Sequence, residues 1–141
     1  MAKYLNFIFF ILYCAQASTS DLERSFTYPH QKEYGYAAVV KHGDTLYLSG
    51  ISAPGKDMEE QIRHVYIILK KTLEEHGSAM ENVLNERVST TDIQKLNDLN
   101  MLRKSFYPEG AYPASSWYQV NRLFMPDALI EIEIVAALHS K

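Results

Sequence analysis

Leu129-Ile130-Glu131-Ile132-Glu133-Ile134-Val135-Ala136-Ala137-Leu138 decides the fold. Ile130, Ile132 and Ile134 alternate with Glu131 and Glu133, the two-residue period of a strand with one apolar face. The two carboxylates therefore leave the same face, about 6–7 Å apart along the strand. A second strand precedes it at Tyr112–Val120, Tyr-Pro-Ala-Ser-Ser-Trp-Tyr-Gln-Val, after a loop around Met125-Pro126-Asp127 is allowed for. Such a strand needs an apolar layer against it. Met58, Ile62, Val65, Leu69 and Leu73 supply one, recurring at helical spacing over Asp57–His76. Asp57 suits the N-cap, Glu59 and Glu60 suit the first turn, and Gly77 suits the position just past the end.

Upstream, Gly35–Lys41 and Thr45–Ser49 read as two strands around the turn His42-Gly43-Asp44, with Gly50 closing the second. Val83–Thr91 reads as a strand interrupted by Asn85, Glu86 and Arg87. Asp92 then caps a second helix bearing Ile93, Leu96, Leu99, Leu102 and Phe106, which ends before Pro108. The order β-β-α-β-α-β-β is an α+β layer, with two helices on one face of a mixed sheet. The sheet's other face, carrying Glu131, Glu133 and aromatics, is left bare, and self-association is the simplest cover for it.

A chain of 141 residues with 47% hydrophobic and 22% charged residues is one globular domain's worth. A net charge of −3 gives no electrostatic footprint for nucleic acid. Residues 1–17 differ in character. Lys3 precedes an apolar run through Phe7-Ile8-Phe9-Phe10-Ile11-Leu12, which ends at Ala15-Gln16-Ala17. That is the layout of a secretory signal peptide with cleavage before Ser18, and it is short for a bilayer span. A buried N-terminal element is the alternative. The expectation is a periplasmic or secreted protein without stable membrane association, comprising an N-terminal arm at 18–33 and a folded domain at 34–141. Cys14 is the single cysteine and would leave with the signal, so neither a disulfide framework nor thiol chemistry is expected.

Histidines at 30, 42, 64, 76 and 139 show no metal-ligand spacing, and no glycine-rich phosphate loop or G-x-S-x-G elbow occurs. Glu131 and Glu133 alone would more often be a solvated strand face than a site. A resemblance changes that balance. Gly35-Tyr36 before Val39-Val40, and Gly43-Asp44-Thr45-Leu46-Tyr47-Leu48-Ser49-Gly50, are similar to the opening strand pair of the Rid family, the reactive intermediate deaminases also called YjgF-type proteins. Gln61 and Arg63 with Leu69, Leu73 and Gly77 resemble its first helix. Thr91-Asp92, Asn100 and Phe106-Tyr107-Pro108-Glu109-Gly110 resemble its second helix and exit, and Tyr112-Pro113-Ala114 with Ile130-Glu131-Ile132-Glu133 its C-terminal signature. The resemblance spans about residues 34–138.

It implies a chorismate-mutase-like fold and a homotrimeric barrel with ligand clefts between subunits. Active members hydrolyse enamines and imines such as 2-aminoacrylate, 2-iminobutanoate and 2-iminopropanoate, with no cofactor or metal. Carried onto this chain, the family's catalytic glutamate falls at Glu131, and its cleft residues at Tyr36, Gly50 and Asn100. The departure is at Pro113-Ala114-Ser115-Ser116, where the family has Pro-Ala-Arg-Ser and uses that arginine to grip a substrate carboxylate. Ser115 cannot make a charged fork, and Trp117 would point the same way and fill part of the cleft. One extra residue also lies between Arg122 and Glu131. Losing a bidentate charged contact removes about 2–4 kcal/mol, roughly 30- to 1,000-fold in binding. Arg122, Arg103 or Arg63 are the candidates to replace it. The expectation is weak or altered deaminase activity, on a substrate without a carboxylate. The alternative is a non-catalytic small-ligand module on the same trimer. A ribonuclease reading fits an acidic chain poorly.

Overall fold

In a computed structural model that describes residues 21–138, the strands form a six-stranded sheet. We number the strands β1 (Leu22–Ser25), β2 (Val39–His42), β3 (Thr45–Ile51), β4 (Val83–Thr90), β5 (Ala114–Gln119) and β6 (Ile130–Ala137). The helices are α1 (Pro29–Glu33), α2 (Met58–Glu75), α3 (Ile93–Asp98) and α4 (Asn100–Lys104), with a 3-10 turn at Met80–Asn82. The spatial order is β1-β2-β3-β6-β4-β5, and only the β4–β5 pair is parallel. The expected mixed α+β sheet is present. The expected signal segment, residues 1–17, lies outside the described residues.

The alternation in β6 is realised as read. Ile130, Ile132, Ile134 and Ala136 are buried beneath the helices, while Glu131 and Glu133 face the other way. The α2 stripe packs against that buried row, with Ile62, Val65, Leu69 and Leu73 fully enclosed. Asp57 caps α2 through the Glu60 N–H. Past its end, Gly77 adopts φ 78°, and the Ser78 and Gly77 N–H groups return to Leu73 and Glu74. That left-handed residue is why glycine stands there.

Several boundaries depart from the expectation, and the strand expected at Gly35–Lys41 begins only at Val39 and takes in His42. The described part of the arm at 18–33 forms β1 on the sheet edge and the short helix α1. Gly50 does not end its strand, because β3 continues to Ile51 across an irregularity in the β3–β6 register between Leu48 and Ile51. The second helix is two short ones broken at Leu99. Its apolar residues recur at threes, and an α-helix falls about 60° short of a full turn at each such step. A continuous helix would swing Leu102 away from the side that Ile93 faces, and the break resets the stripe.

Candidate functional site

Tyr36, Gly50 and Glu131, expected to share a site, line one cleft of about 320 Å³. Its walls come from the stretch before β2, from β3, from α2 and from the loop ahead of β6. Gln61, buried in α2, holds that loop by donating to the Asp127 carbonyl (2.9 Å) and accepting from the Leu129 N–H (2.8 Å). Gln31 shapes the opposite wall, its side-chain oxygen accepting from the Thr27 and Tyr28 N–H groups. Gly50 leaves room for the Glu131 carboxylate. A Cβ there would lie 2.6 Å from Glu131 Oε1.

Glu131 is half-buried and accepts a hydrogen bond from Ser52 Oγ at 3.3 Å. Among the described residues no cation pairs with it. Glu133, two residues on, is ion-paired with Arg87 on β4. Aromatic rings dominate the remaining wall. Tyr28 stacks on His30 (5.5 Å, 9°), and the series continues through Tyr34 to Phe124 (5.6 Å). Tyr28, His30 and Phe124 all line the cleft, and the residue names alone gave no signal for them.

Asn100, Ser115 and Trp117 do not line it. In the sheet Ser115 pairs with Glu86, which pairs with Ile134, so Ser115 and Trp117 share the helix-covered face. Glu131 leaves the opposite face. Asn100 is the first residue of α4, the helix whose Arg103 reaches Ser115.

Around Ser115 lies a polar cluster that the sequence reading passed over. Glu86 is 0% exposed, and its carboxylate receives hydrogen bonds from Tyr66, Tyr107 (2.8 Å), Ser115 (2.8 Å) and Arg103. Arg103, 8% exposed, bridges Glu86 and Ser115 Oγ (3.3 Å) and lies over the Trp117 ring at 5.1 Å. Trp117 Nε1 also donates to Ser115 Oγ (2.9 Å), confirming that the two point the same way. Burial, and then the Glu86 charge, raise the Tyr66 and Tyr107 phenols above their ordinary values. Burial alone would lower Arg103, but Glu86 outweighs it and the guanidinium is held more firmly charged. Of the three arginines considered, Arg103 reaches Ser115. Arg63 pairs with Glu59 instead, and Arg122 turns to the Leu123 carbonyl. Among the described residues, no group of three or more His, Cys, Asp or Glu side chains gathers as metal ligands would. No helix among them is long and apolar enough to cross a membrane.

A six-stranded α+β sheet with helices packed on one face, and a cleft in which Gly50 closely approaches the Glu131 carboxylate, are the features to compare with known proteins. The profile of the Endoribonuclease L-PSP family matches residues 29–138. A RutC family protein of Saccharolobus solfataricus is 32% identical over 120 residues, covering 79% of this chain and 94% of its own. A YjgF family member from Neisseria meningitidis superposes with a TM-score of 0.77 at 24% identity, over 86% of this chain and 98% of that one. RidA from an Antarctic Psychrobacter superposes with a TM-score of 0.69 at 27% identity, over 74% and 89%. The chain belongs to the Rid/YjgF family.

Proposed function

We propose that this protein is an exported Rid-family homotrimer whose Glu131 cleft hydrolyses imines or enamines, with little activity on those bearing a carboxylate. The convergence of Tyr36, Gly50 and Glu131 on one cleft carries the reading. Water adds to the electrophilic imine carbon while Glu131 takes one of its protons and passes it to the nitrogen, giving a carbinolamine. The hydroxyl proton then moves to the nitrogen by way of Glu131 as the C–N bond breaks, and the carbonyl compound and ammonia leave. A trimer accounts for the two separated groups of expected residues. Ser115 and Trp117 sit on an edge strand facing away from Glu131, and meet such a cleft only across a subunit boundary. Tyr47 is exposed on the bare sheet face beside a second hollow lined by Val40, Arg87, Glu133 and Val135, a surface suited to burial between subunits.

The weak-activity part rests on Ser115 standing where the family's arginine is expected, while the nearby Arg103 is committed to Glu86. The acidic chain does not suit a ribonuclease role. A non-catalytic ligand-binding role on the same trimer is favoured by the one hydrogen bond that Glu131 accepts among the described residues, from a neutral Ser52 hydroxyl.

Imino acids generated in place by an amino-acid oxidase, assayed with light scattering alongside, test this. The expected result is a trimer that hydrolyses 2-aminoacrylate roughly 30- to 1,000-fold more slowly than an arginine-bearing relative. Ser115→Arg raises that rate, and Glu131→Ala abolishes it. A stable monomer, or wild-type activity equal to the relative's, overturns the reading. Export predicts a mature form beginning at Ser18 by mass spectrometry; an exported form still beginning at Met1 contradicts it.

A further inference from the structure

We propose that the Glu131 cleft selects small organic cations, an iminium or ammonium group on an apolar body, over carboxylate-bearing ligands. This rests on the cleft being the ligand site, and goes further by assigning the charge of what it binds.

The first observation is an unbalanced carboxylate. Glu131 is half-buried in the cleft with a neutral hydroxyl from Ser52 as its donor, and among the described residues no cation pairs with it. The second is the absence of a cationic lining among the described residues, which offer only His30, stacked on Tyr28. Other basic side chains are engaged elsewhere: Lys32 lies over the Phe26 ring, Lys41 pairs with Glu23, and Arg87, on the sheet face that Glu131 shares, pairs with Glu133. The third is the wall itself. Tyr28, Tyr36 and Phe124 line it, and aromatic rings attract cations through their quadrupoles. Ile51, Ile68 and Met125 offer apolar surface for the rest of the ligand.

A carboxylate entering this cleft meets Glu131 without a compensating charge. At about 4 Å and an effective dielectric near 20, such a like-charge pair is disfavoured by on the order of a thousandfold, and an opposite pair favoured similarly. Solvent exposure of the cleft moderates both, so an observed preference of at least about tenfold is expected.

Calorimetric titration of the full protein with benzylammonium and benzoate, which share a ring and differ in charge, reads that preference directly. Isobutylammonium and isobutyrate repeat it without stacking. Wild type is expected to bind each ammonium at least about tenfold tighter than its carboxylate partner, with the difference shrinking as salt rises. Glu131→Gln is expected to erase the preference. Phe124→Leu, at a residue 66% exposed, is expected to fold normally and weaken the ammonium ligands by about two- to fivefold. Equal or tighter carboxylate binding, binding of neither ligand at millimolar concentration, or a preference that survives Glu131→Gln overturns the proposal. Imine hydrolysis intact without the cation preference sinks this inference alone. A cation preference without hydrolysis supports it and removes the enzymatic reading.

Discussion

Two carboxylates on neighbouring strands, Glu86 on β4 and Glu131 on β6, illustrate opposite uses of the same group. Glu86 is fully enclosed, and donors on four residues from three regions of the chain saturate it. Glu131 is half-exposed in a cleft, with one neutral donor at 3.3 Å. A saturated buried acid has no capacity left for a ligand, and its neighbours depend on it for their own satisfaction. An unsaturated acid beside a cavity contributes little to folding and is free to receive a partner. The first region joins α2, α4, β4 and β5 into one body; the second leaves a carboxylate facing an open cleft.

The contrast is sharpest under substitution. Glu86→Gln leaves Arg103 charged and buried without its partner, which is expected to lower stability by about 3–5 kcal/mol in denaturant unfolding. Glu131→Gln is expected to change stability by less than about 0.5 kcal/mol. Equal losses at the two sites would erase the distinction.

Alkali gives the next largest effect. Tyr66 and Tyr107 are raised above the ordinary value of 10.0, chiefly by burial and then by Glu86, so the folded state holds both protons where the unfolded state releases them. Their stabilising contribution is therefore whole below about pH 10 and is lost as pH rises beyond it, by up to about 1.4 kcal/mol per pH unit for each phenol. Unfolding curves at stepped pH check this, with Glu131→Gln expected to leave the slope in place. Stability that is flat or rising above pH 10 would contradict the assignment.

Gly50→Ala is expected to cost only about 1 kcal/mol of stability, because the added Cβ meets the far end of a flexible side chain. It displaces the Glu131 carboxylate, however, so ligand affinity and any hydrolysis should fall at least about tenfold. Unchanged function in this variant would mean that the close approach of Gly50 to Glu131 has no role.

Much of the frame was legible because it follows from periodicity. The Ile130–Ile134 alternation and the Met58–Leu73 stripe each report one buried face, and both faces meet in the core. The break at Leu99 was written in the threefold spacing and was read as one helix. Glu86 looked like an interruption in a β-branched strand, yet it occupies an inward position of β4. Its partners Tyr66, Arg103, Tyr107 and Ser115 lie 17–29 residues away in sequence, and only the fold brings them together. The same distance hid Arg103 beside Ser115. The family motifs brought Tyr36, Gly50 and Glu131 to one cleft, but they carried no information about the aromatic wall from Tyr28 to Phe124.

The most direct test measures hydrolysis, above the uncatalysed rate, of two imines matched in size, 2-iminopropanoate and its carboxylate-free counterpart, by wild type and Glu131→Gln. Faster turnover of the carboxylate-free imine, lost in Glu131→Gln, is the predicted result. Faster turnover of 2-iminopropanoate, or turnover that survives Glu131→Gln, would contradict the account.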